Sequence, residues 1–413
     1  MLASDRVPKL PLFSRASFRR VGSSVPCVIE VGDVKYFTLG RMALSAALRD
    51  AQIGKGDEVL MPAYHCIVMV DAVLSVCATP VFYRIQSNTA VNSQDIEERI
   101  TPSTRALLVV HYFGFPQMEM QAIRNICNAR NLLLIEDCSH ALLGGDEDKT
   151  FGYGAFGDYV IASPWKFLPA VDGGCLISRR RSLARIALKS AGVRYQLKTV
   201  INLCEFAFAH GRLNALSGLR ILLRWKDRLR DAVKVAKKTP LLEGHSATND
   251  LSIEFDPFWV DKKASWCARL IIECAAWNGI GQLRRKHYER LDAALRGLPG
   301  CTPLFPNLPD GVVPQVYPLL VDEPEIVFPQ LKALGVPIIR FGEFLWEHMD
   351  RNLCPVSLDL SRRVFQFPCH QDLRREELDW IIRTVREVMG RVHLGEPTNG
   401  HGKQQRLGTS LDS

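Results

Sequence analysis

Two runs of consecutive apolar residues, at 106–110 and 132–135, constrain the fold of this chain most strongly. A strand that is apolar on both faces must be covered on both faces, which is typical of parallel sheets flanked by helices. Other segments show strand-like and helix-like patterns in turn, with strands at 58–61, 80–83, 159–162 and 175–178 and helices at 41–52, 67–76 and 118–130. This order predicts an α/β fold with a largely parallel sheet and right-handed crossovers.

Length and composition allow a large domain and a smaller one. The chain has 413 residues, 47% of them hydrophobic and 23% charged, a balance typical of globular proteins. No window reaches the roughly 18 uninterrupted apolar residues of a membrane-spanning helix, and the N-terminus lacks the apolar core of a secretory signal. The twelve cysteines are dispersed without a CxxC pair. This argues against a zinc site or a disulfide framework and predicts reduced cysteines in a cytoplasmic protein.

Positive charge is concentrated in one part of the sequence. The formal net charge is +8, and residues 179–238 contain sixteen Lys and Arg against three acidic residues. Such a block could attract an anionic partner or, because 219–235 places Leu, Ile and Trp225 among arginines, a membrane surface. A solvated helical face is the more common explanation of a charge run. No nucleic-acid-binding motif accompanies it.

The predicted domain organisation has five parts: an N-terminal arm at 1–35, a large domain at 36–298, a basic helical insertion within it at about 181–260, a small α+β domain at 299–393 and a disordered tail at 394–413. Apolar periodicity predicts one long helix over 265–298. It also predicts two helices in the small domain, at 327–334 and 375–388.

Charged residues follow two predicted strands, at the edge where parallel sheets bind ligands. Asp137 ends the segment that begins with the run at 132–135, and Lys166 follows the strand at 159–162. Pyridoxal phosphate (PLP) needs such a pair, because its aldehyde condenses with a lysine amine and its ring nitrogen needs a carboxylate to stay protonated. Apolar neighbours of Lys166 would lower its pKa and favour this condensation. Asp137 and Lys166 are therefore candidate catalytic residues.

Other residues could complete a PLP site. His140 could reach the ring hydroxyl, and the Ser163 hydroxyl is a natural phosphate ligand. The helix that begins at Gly40-Arg41-Met42 offers backbone N–H groups to a phosphate. Gly173-Gly174 would let the backbone approach closely.

An aromatic loop follows the strand at 58–61, where Tyr64 or His65 could cover the ring of the cofactor. Each of these features has a more ordinary explanation when taken alone. An Asp after a strand often caps a helix, a lone His is usually structural, and a loop aromatic often packs in the core. Their order along the chain favours a shared site.

This order resembles that of the fold-type I PLP enzymes and, more narrowly, of the DegT/DnrJ/EryC1/StrS family of sugar aminotransferases. The resemblance covers about 36–178, 264–290 and 316–388. The matching motifs are Gly40-Arg41-x-Ala43-Leu44, Gly56-Asp57-Glu58-Val59, Pro62, Thr104-Arg105-Ala106, His111-Tyr112-Phe113-Gly114, Glu136-Asp137, Gly157-Asp158, Lys166 and Gly173-Gly174. The resemblance implies the PLP-dependent transferase fold type I, with a mostly parallel seven-stranded sheet in the large domain and a smaller C-terminal α+β domain.

The resemblance also implies roles for individual residues. Lys166 would bind PLP covalently and move the proton, and Asp137 would pair with the pyridine nitrogen. His140 stands where the family often has Gln, next to the ring oxygen. The turn at Gly40-Arg41-Met42 and the hydroxyl of Ser163 would hold the phosphate. The family works as a homodimer with sites at the subunit interface, so a homodimer is implied.

The chain departs from the family pattern at several positions. The residue five before the lysine, usually serine, is Ile161, and Ser163 is expected to compensate. The usual stacking aromatic aligns near Cys66, so a neighbouring loop residue would have to serve. The acid that usually follows the Pro-Val-Phe strand is Arg84. The Gly-Tyr-Asn-Tyr-Arg segment that helps to form the partner's site was not found, and the basic block takes its place.

These observations predict an aminotransferase that moves an amino group from an amino acid such as glutamate to a keto group. The acceptor would be a nucleotide-linked sugar in polysaccharide or secondary-metabolite biosynthesis. One alternative is a PLP-dependent lyase or dehydratase, because PLP stabilises the carbanion whichever bond breaks; family dehydratases, however, carry His where Lys166 stands. Another is a catalytically silent PLP-fold protein with a regulatory or membrane-surface role. No metal site is predicted.

Overall fold

The computed structural model describes residues 7–20, 22, 25–145, 152–213 and 255–394. A seven-stranded sheet is formed by β1 (Asp33–Phe37), β2 (Glu58–Pro62), β3 (Thr79–Tyr83), β4 (Thr104–Val110), β5 (Leu133–Asp137), β6 (Tyr159–Ala162) and β7 (Gly174–Ser178). The strands lie in the order β1-β7-β6-β5-β4-β2-β3.

Most of this sheet is parallel, as predicted. Strands β2 to β6 pair in parallel, whereas β7 pairs antiparallel with β6 and β1. In the register, Asp137 lies opposite Val110 of β4 and Ile161 of β6. The carboxyl ends of three central strands therefore reach the same edge of the sheet.

Four helices lie between the first strands: α1 (Gly40–Asp50), α2 (Ile67–Leu74), α3 (Ser93–Glu98) and α4 (Met120–Arg130). The start of α1 lies directly against β7, because a Cβ added at Gly174 would fall 2.1 Å from the Leu39 carbonyl carbon. Only glycine allows this approach, which is the role that the sequence suggested for Gly173-Gly174. The contact sets the first turn of α1 beside the end of β6.

The basic block is helical only in part. Helix α5 (Val193–Ala209) is observed, but residues 179–192 form no helix, so the prediction of a helix there is wrong. The Ser178 hydroxyl accepts the N–H groups of Arg180 and Arg181 at 3.2 and 2.8 Å, which favours a turn after β7. The predicted helix and connector at 214–254 and the predicted tail at 395–413 lie outside the described residues.

The predicted single helix over 265–298 is also wrong. It is two helices, α6 (Trp266–Cys274) and α7 (Trp277–Leu295). Ala275 is extended, with ψ at 137°, and the Ala276 N–H donates to the Ser17 carbonyl at 2.9 Å. This acceptor belongs to the N-terminal segment (residues 7–20), which is far from Ala276 in sequence. Local periodicity could therefore not reveal the break between the two helices.

A second, antiparallel sheet lies in the C-terminal part of the chain. Its strands are β8 (Cys301–Pro303), β9 (Val316–Val321), β10 (Ile339–Arg340) and β11 (Val364–Pro368), in the order β10-β11-β9-β8. The helices around it are α8 (Pro324–Ala333), α9 (Pro355–Arg363) and α10 (Arg375–His393). Helices α8 and α10 correspond to the two predicted ones, and α9 was not predicted. Among all the helices described, none is long and apolar enough to cross a membrane.

The N-terminal segment is held by residues that follow β11. His370 Nε2 lies 3.0 Å from the Pro8 carbonyl. The Asp372 carboxylate accepts the Leu12 N–H at 3.2 Å and the Ser14 hydroxyl. Asp372 is buried, and burial raises its pKa to about 6. The attachment of the N-terminal segment thus depends on a carboxyl that titrates near neutral pH.

We expect Asp372 to make stability depend on pH. Its pKa rises from 3.8 to about 6 on folding, so the folded state binds the proton more tightly and the free energy of unfolding falls as pH rises through this window. Asp372→Asn removes the titration. The free energy of unfolding of Asp372→Asn, relative to that of the native chain, should therefore rise by about 2 kcal/mol between about pH 4.5 and about pH 7. Denaturant unfolding at both pH values measures this, with the exposed change Glu376→Gln as control; a constant difference would contradict it.

Candidate active site

Asp137 is the last residue of β5 and is buried. Its Oδ1 accepts the Ser139 N–H at 2.8 Å, a local turn that fixes the direction of the carboxylate. The carboxylate thus sits at the edge where β4, β5 and β6 end together. A partner for a cofactor ring nitrogen would need this position.

Lys166 ends a single turn of 3₁₀ helix that follows β6 at once. Its N–H donates to the Ser163 carbonyl at 3.0 Å, and its Nζ lies 5.9 Å from the centre of the Trp165 ring. Phe167 and Leu168, the next two residues, are fully buried. The backbone that carries Lys166 therefore has apolar neighbours, as the sequence predicted.

His140 lies close enough to Lys166 to sense its charge. Burial and, secondarily, the positive charge of Lys166 hold the pKa of His140 well below its ordinary value, so the imidazole is neutral at physiological pH. Its ring stacks on Phe113 with 5.8 Å between centres. Its Nδ1 is buried and has no hydrogen-bond partner in the described structure. An unpartnered buried nitrogen is costly, and a ligand atom would satisfy it.

Gly40, Ser139 and Ser163 converge at the start of α1. The Ser163 hydroxyl lies 3.0 Å from that of Ser139, and a Cβ added at Gly40 would fall 2.6 Å from Ser163 Oγ. The first N–H groups of a helix have no intrahelical acceptor, and the helix dipole favours an anion there. Two hydroxyls at a helix N-terminus form a cradle suited to a phosphate. Ser139 was missed from the sequence; its one signal is the Asp-x-Ser spacing after β5.

Arg41 and Met42, the other two residues of the predicted phosphate-binding turn, make contacts away from the two serines. The Met42 N–H donates to the Leu39 carbonyl at 3.1 Å, and the Met42 side chain is buried in the core. The guanidinium of Arg41 interacts electrostatically with Asp71 of α2, where it partly offsets the rise that burial causes in the pKa of that carboxyl. Gly40 is thus the residue of this turn that faces the two serines.

His65 has no ring nitrogen left for a cofactor. Its Nδ1 lies 3.0 Å from the Ala63 carbonyl, and its Nε2 accepts the Trp346 N–H at 3.1 Å. The ring is fully buried against Phe82, and burial lowers its pKa to about 4. His65 therefore packs between Phe82 and the backbone of Trp346, and its predicted role as a ring cover stays a prediction.

Tyr64 is enclosed by other aromatic rings. It stacks on Tyr112 at 5.4 Å and meets the edge of Phe341 at 5.0 Å. Its hydroxyl is buried without a partner in the described structure, and burial raises its pKa well above the ordinary value. The predicted role of Tyr64 as a ring cover stays a prediction.

Phe341, just after β10, brings the C-terminal part of the chain onto the site. Its ring lies 5.1 Å from that of His140 and 6.0 Å from that of Phe113, both nearly perpendicular. No local pattern points to this residue, because the contact joins segments about two hundred positions apart. Phe341 closes the side of the site that faces His140.

A buried trio behind Asp137 has the residue types of a metal site. His111, Glu136 and Cys138 bring one potential ligand atom each within 4.8 Å of one another. However, these atoms of Glu136 and His111 already take part in hydrogen bonds. His111 Nδ1 accepts the Gln117 N–H at 3.0 Å, which leaves its Nε2–H to donate to Glu136 at 3.0 Å. The trio is explained as a hydrogen-bonded support for β5.

These observations fit PLP. A phosphate suits the cradle formed by Gly40, Ser139 and Ser163, and an oxygen acceptor or donor on the ring would satisfy the unpartnered nitrogen of His140. Asp137 and Lys166 lie on the neighbouring strand ends. The spacing of these groups is set by the sheet itself.

Comparison with known proteins agrees with this chemistry. The model of the DegT/DnrJ/EryC1/StrS aminotransferase family matches residues 35–217. A dTDP-4-dehydro-2,3,6-trideoxy-D-glucose 4-aminotransferase from Saccharopolyspora spinosa is 31% identical over 369 residues, covering 86% of this chain and 83% of that protein. A UDP-N-acetyl-3-dehydro-alpha-D-glucosamine 3-aminotransferase from Acidithiobacillus ferrooxidans is 29% identical over 364 residues, covering 85% and 82%.

A solved structure shares the fold. Spr1654 from Streptococcus pneumoniae, in its PLP form, matches with a TM-score of 0.59 at 18% identity, covering 87% of each chain. At this identity the likeness speaks for the fold alone. It confirms the predicted PLP fold type I.

Gly40→Ala should weaken PLP binding without unfolding the protein. The added Cβ would displace the Ser163 hydroxyl from the cradle, and losing one hydrogen bond to a charged group corresponds to about 10- to 100-fold in affinity. Gly390→Ala is the matched control, because the same change in another helix meets open space. PLP titration followed by absorbance measures the effect, and melting without PLP checks folding. Equal affinity in both variants would contradict the cradle.

Proposed function

The chain belongs to the DegT/DnrJ/EryC1/StrS aminotransferase family, and we propose that it transfers an amino group from glutamate to the keto group of a nucleotide-linked sugar. Membership identifies it as a PLP-dependent aminotransferase, which confirms the activity and the cofactor predicted from the sequence. The acceptor is proposed because the two relatives act, by name, on dTDP- and UDP-linked dehydro sugars. A role in polysaccharide or secondary-metabolite biosynthesis would follow.

The observation that carries this proposal is the convergence of Lys166, Asp137 and the serine cradle at one sheet edge. When bound, PLP supplies a protonated ring that accepts the electron pair left on a substrate carbon after proton loss. The Asp137 carboxylate would hold the proton on the ring nitrogen. The hydrogen bond from the Ser139 N–H fixes the orientation of this carboxylate before a ligand binds, so little reorganisation is needed on binding.

Lys166 would act twice in each half of the reaction. Its Nζ would hold the cofactor covalently at rest. With an amino substrate in the site, the freed amine would take the proton from the substrate carbon that bears the nitrogen and return it to the carbon on the other side of that nitrogen. The next two residues, Phe167 and Leu168, are fully buried, so the backbone at the base of this lysine is shielded from water.

His140 would contact the ring oxygen through Nδ1, the nitrogen without a partner. Because the imidazole is neutral, it adds no second positive charge beside Lys166. A neutral ring can donate or accept at this atom according to its tautomer. This is how His140 would replace the amide that the family often has here.

An anionic acceptor needs cations near the site, and the basic block at 179–238 is the candidate source. In the described part of this block, Arg194 and Lys198 lie on α5. Tyr195 of the same helix donates to Asp172 at 2.9 Å, which ties α5 to the residue before Gly173-Gly174. The block is thus anchored next to the loop that supports α1.

Lys166→Ala should abolish the function. Without the amine, purified protein mixed with PLP should lose the visible absorption band of the lysine-bound cofactor, and amino transfer from glutamate should fall by more than about 1,000-fold. The control Lys55→Ala removes an exposed lysine and should keep both. In the native chain, glutamate should shift the band toward the near-ultraviolet. A band that persists in Lys166→Ala would contradict the assignment, and a native band that ignores glutamate would move the proposal to another donor.

We also propose that the protein forms a homodimer. Helices α5 and α6 pack together and expose four large apolar side chains with helical spacing: Val193 75%, Leu197 59%, Trp266 50% and Leu270 51%. Apolar clusters of this kind mark contact surfaces. A basic membrane contact remains the alternative for α5, where Arg194 and Lys198 flank the apolar residues, and most of its support lies at 214–238, outside the described residues.

The double change Leu197→Asp with Leu270→Asp should convert dimer to monomer, because two buried charges at an interface are costly. Light scattering of the native and variant proteins measures the mass. The control is Leu334→Asp, a residue of similar exposure at 48% in the other part of the chain. An unchanged mass would contradict the interface. If the double variant instead loses co-sedimentation with anionic vesicles, the surface is a membrane contact.

We place the protein in the cytoplasm as part of this proposal. Cys27, Cys138, Cys175 and Cys369, among others, form no disulfide and are buried thiols. Free thiols persist in a reducing compartment. The partners proposed there are the small-molecule amino donor and keto acceptor, with no nucleic acid.

A further inference from the structure

The peptide that carries Lys166 is held from outside its own turn. Within the turn, the Phe167 and Leu168 N–H groups donate to the Pro164 carbonyl at 2.8 and 2.9 Å. The carbonyls of Lys166 and Phe167 are bound elsewhere: Arg284 donates to the first at 3.0 Å and Gln371 to the second at 2.9 Å. Two successive peptide planes are therefore fixed by side chains far away in sequence.

Arg284 makes this contact from the interior of α7. It is fully buried, and its guanidinium lies 4.5 Å from the centre of the Phe167 ring. It also donates to the Gln315 carbonyl at 2.8 Å. Burial lowers its pKa to about 10, so it stays charged at neutral pH. A buried charge is costly, and Arg284 is stabilised by these carbonyls, by the aromatic face, by a hydrogen bond with the Cys369 side chain and by the charge of Asp372.

Gln371 reaches the same turn from the segment after β11. It is buried, and its Nε2 donates to the Phe167 carbonyl and, at 2.8 Å, to the Ser17 hydroxyl. Ser17 belongs to the N-terminal segment. Its backbone carbonyl also accepts the N–H of Ala276, just before α7. Gln371 therefore links the lysine turn to the N-terminal and C-terminal parts of the chain.

We propose that Arg284 and Gln371 are positioning residues that aim the Lys166 side chain at the cofactor. This inference rests on the proposed role of Lys166. A lysine has four side-chain torsions, so its reach is defined only if its backbone origin is fixed. Since proton transfer requires close alignment of the amine with the reacting carbon, a small rotation of the Lys166 peptide would slow the reaction more than it would weaken binding.

The test compares Arg284→Met, Arg284→Lys and Gln371→Leu with the native chain, all loaded with PLP. Two readouts separate positioning from plain stability: the pH titration of the visible band, which reports the surroundings of the lysine nitrogen, and the split between kcat and KM for glutamate. We expect the band's midpoint to shift by more than about half a pH unit. We expect kcat to fall by about 10- to 100-fold with KM changed less than about threefold. Arg284→Lys, which keeps the charge and one donor, should recover part of both.

Arg285→Met is the matched control. Arg285 is the next residue on α7 and donates to the Pro309 and Val312 carbonyls, each at 2.7 Å, away from the lysine turn. If Arg284→Met does not fold, Gln371→Leu carries the test, because it breaks the bond to the Phe167 carbonyl with little change in volume. A native band midpoint and a native kcat in a folded Gln371→Leu would overturn the proposal, and so would equal effects in Arg285→Met. Absence of the band in the native chain would instead refute the proposed function itself.

Discussion

The buried carboxylate of Glu136 is the constraint on which the site depends. It has no exposed surface and accepts four hydrogen bonds, from His111 and from the N–H groups of Gly154, Phe156 and Gly157, at 2.5 to 3.1 Å. A buried acid without partners would cost several kcal/mol. Four donors satisfy this carboxylate, and three of them are N–H groups of the loop before β6. This loop must therefore adopt a conformation that directs all three toward Glu136.

This requirement sets the position of the catalytic groups. Gly157 must be glycine, because a Cβ there would fall 2.5 Å from the Tyr159 carbonyl oxygen and 3.3 Å from Glu136. The loop therefore enters β6 at a fixed point, and the pairing of Asp137 with Ile161 follows from it. Five residues beyond Ile161 the chain arrives at Lys166. The acid that holds the loop and the acid proposed to hold the cofactor are neighbours in β5, so a single strand fixes both.

The sequence could predict those parts of the protein that local pattern determines. Continuous apolar runs identified β4 and β5, and the segment at 159–162 identified β6. Asp137 ends β5 and Lys166 follows β6, so both could be placed at one edge of the sheet. The break at Ala275, the contact of Phe341 with His140, and the bond from Arg284 to Lys166 could not be predicted. Each joins segments more than a hundred positions apart, where periodicity carries no information. The bond from the Trp346 backbone to His65 is of the same kind.

The departure at Ile161 can be understood from the cradle. The Ile161 methyl lies 3.6 Å from where a Gly40 Cβ would be, so the position that usually carries a serine does face the helix start. Here it is apolar, while Ser163 and Ser139 bring two hydroxyls to the same place. Because a phosphate needs donors at suitable distances and not at a particular sequence position, two serines bonded to each other can replace the missing one.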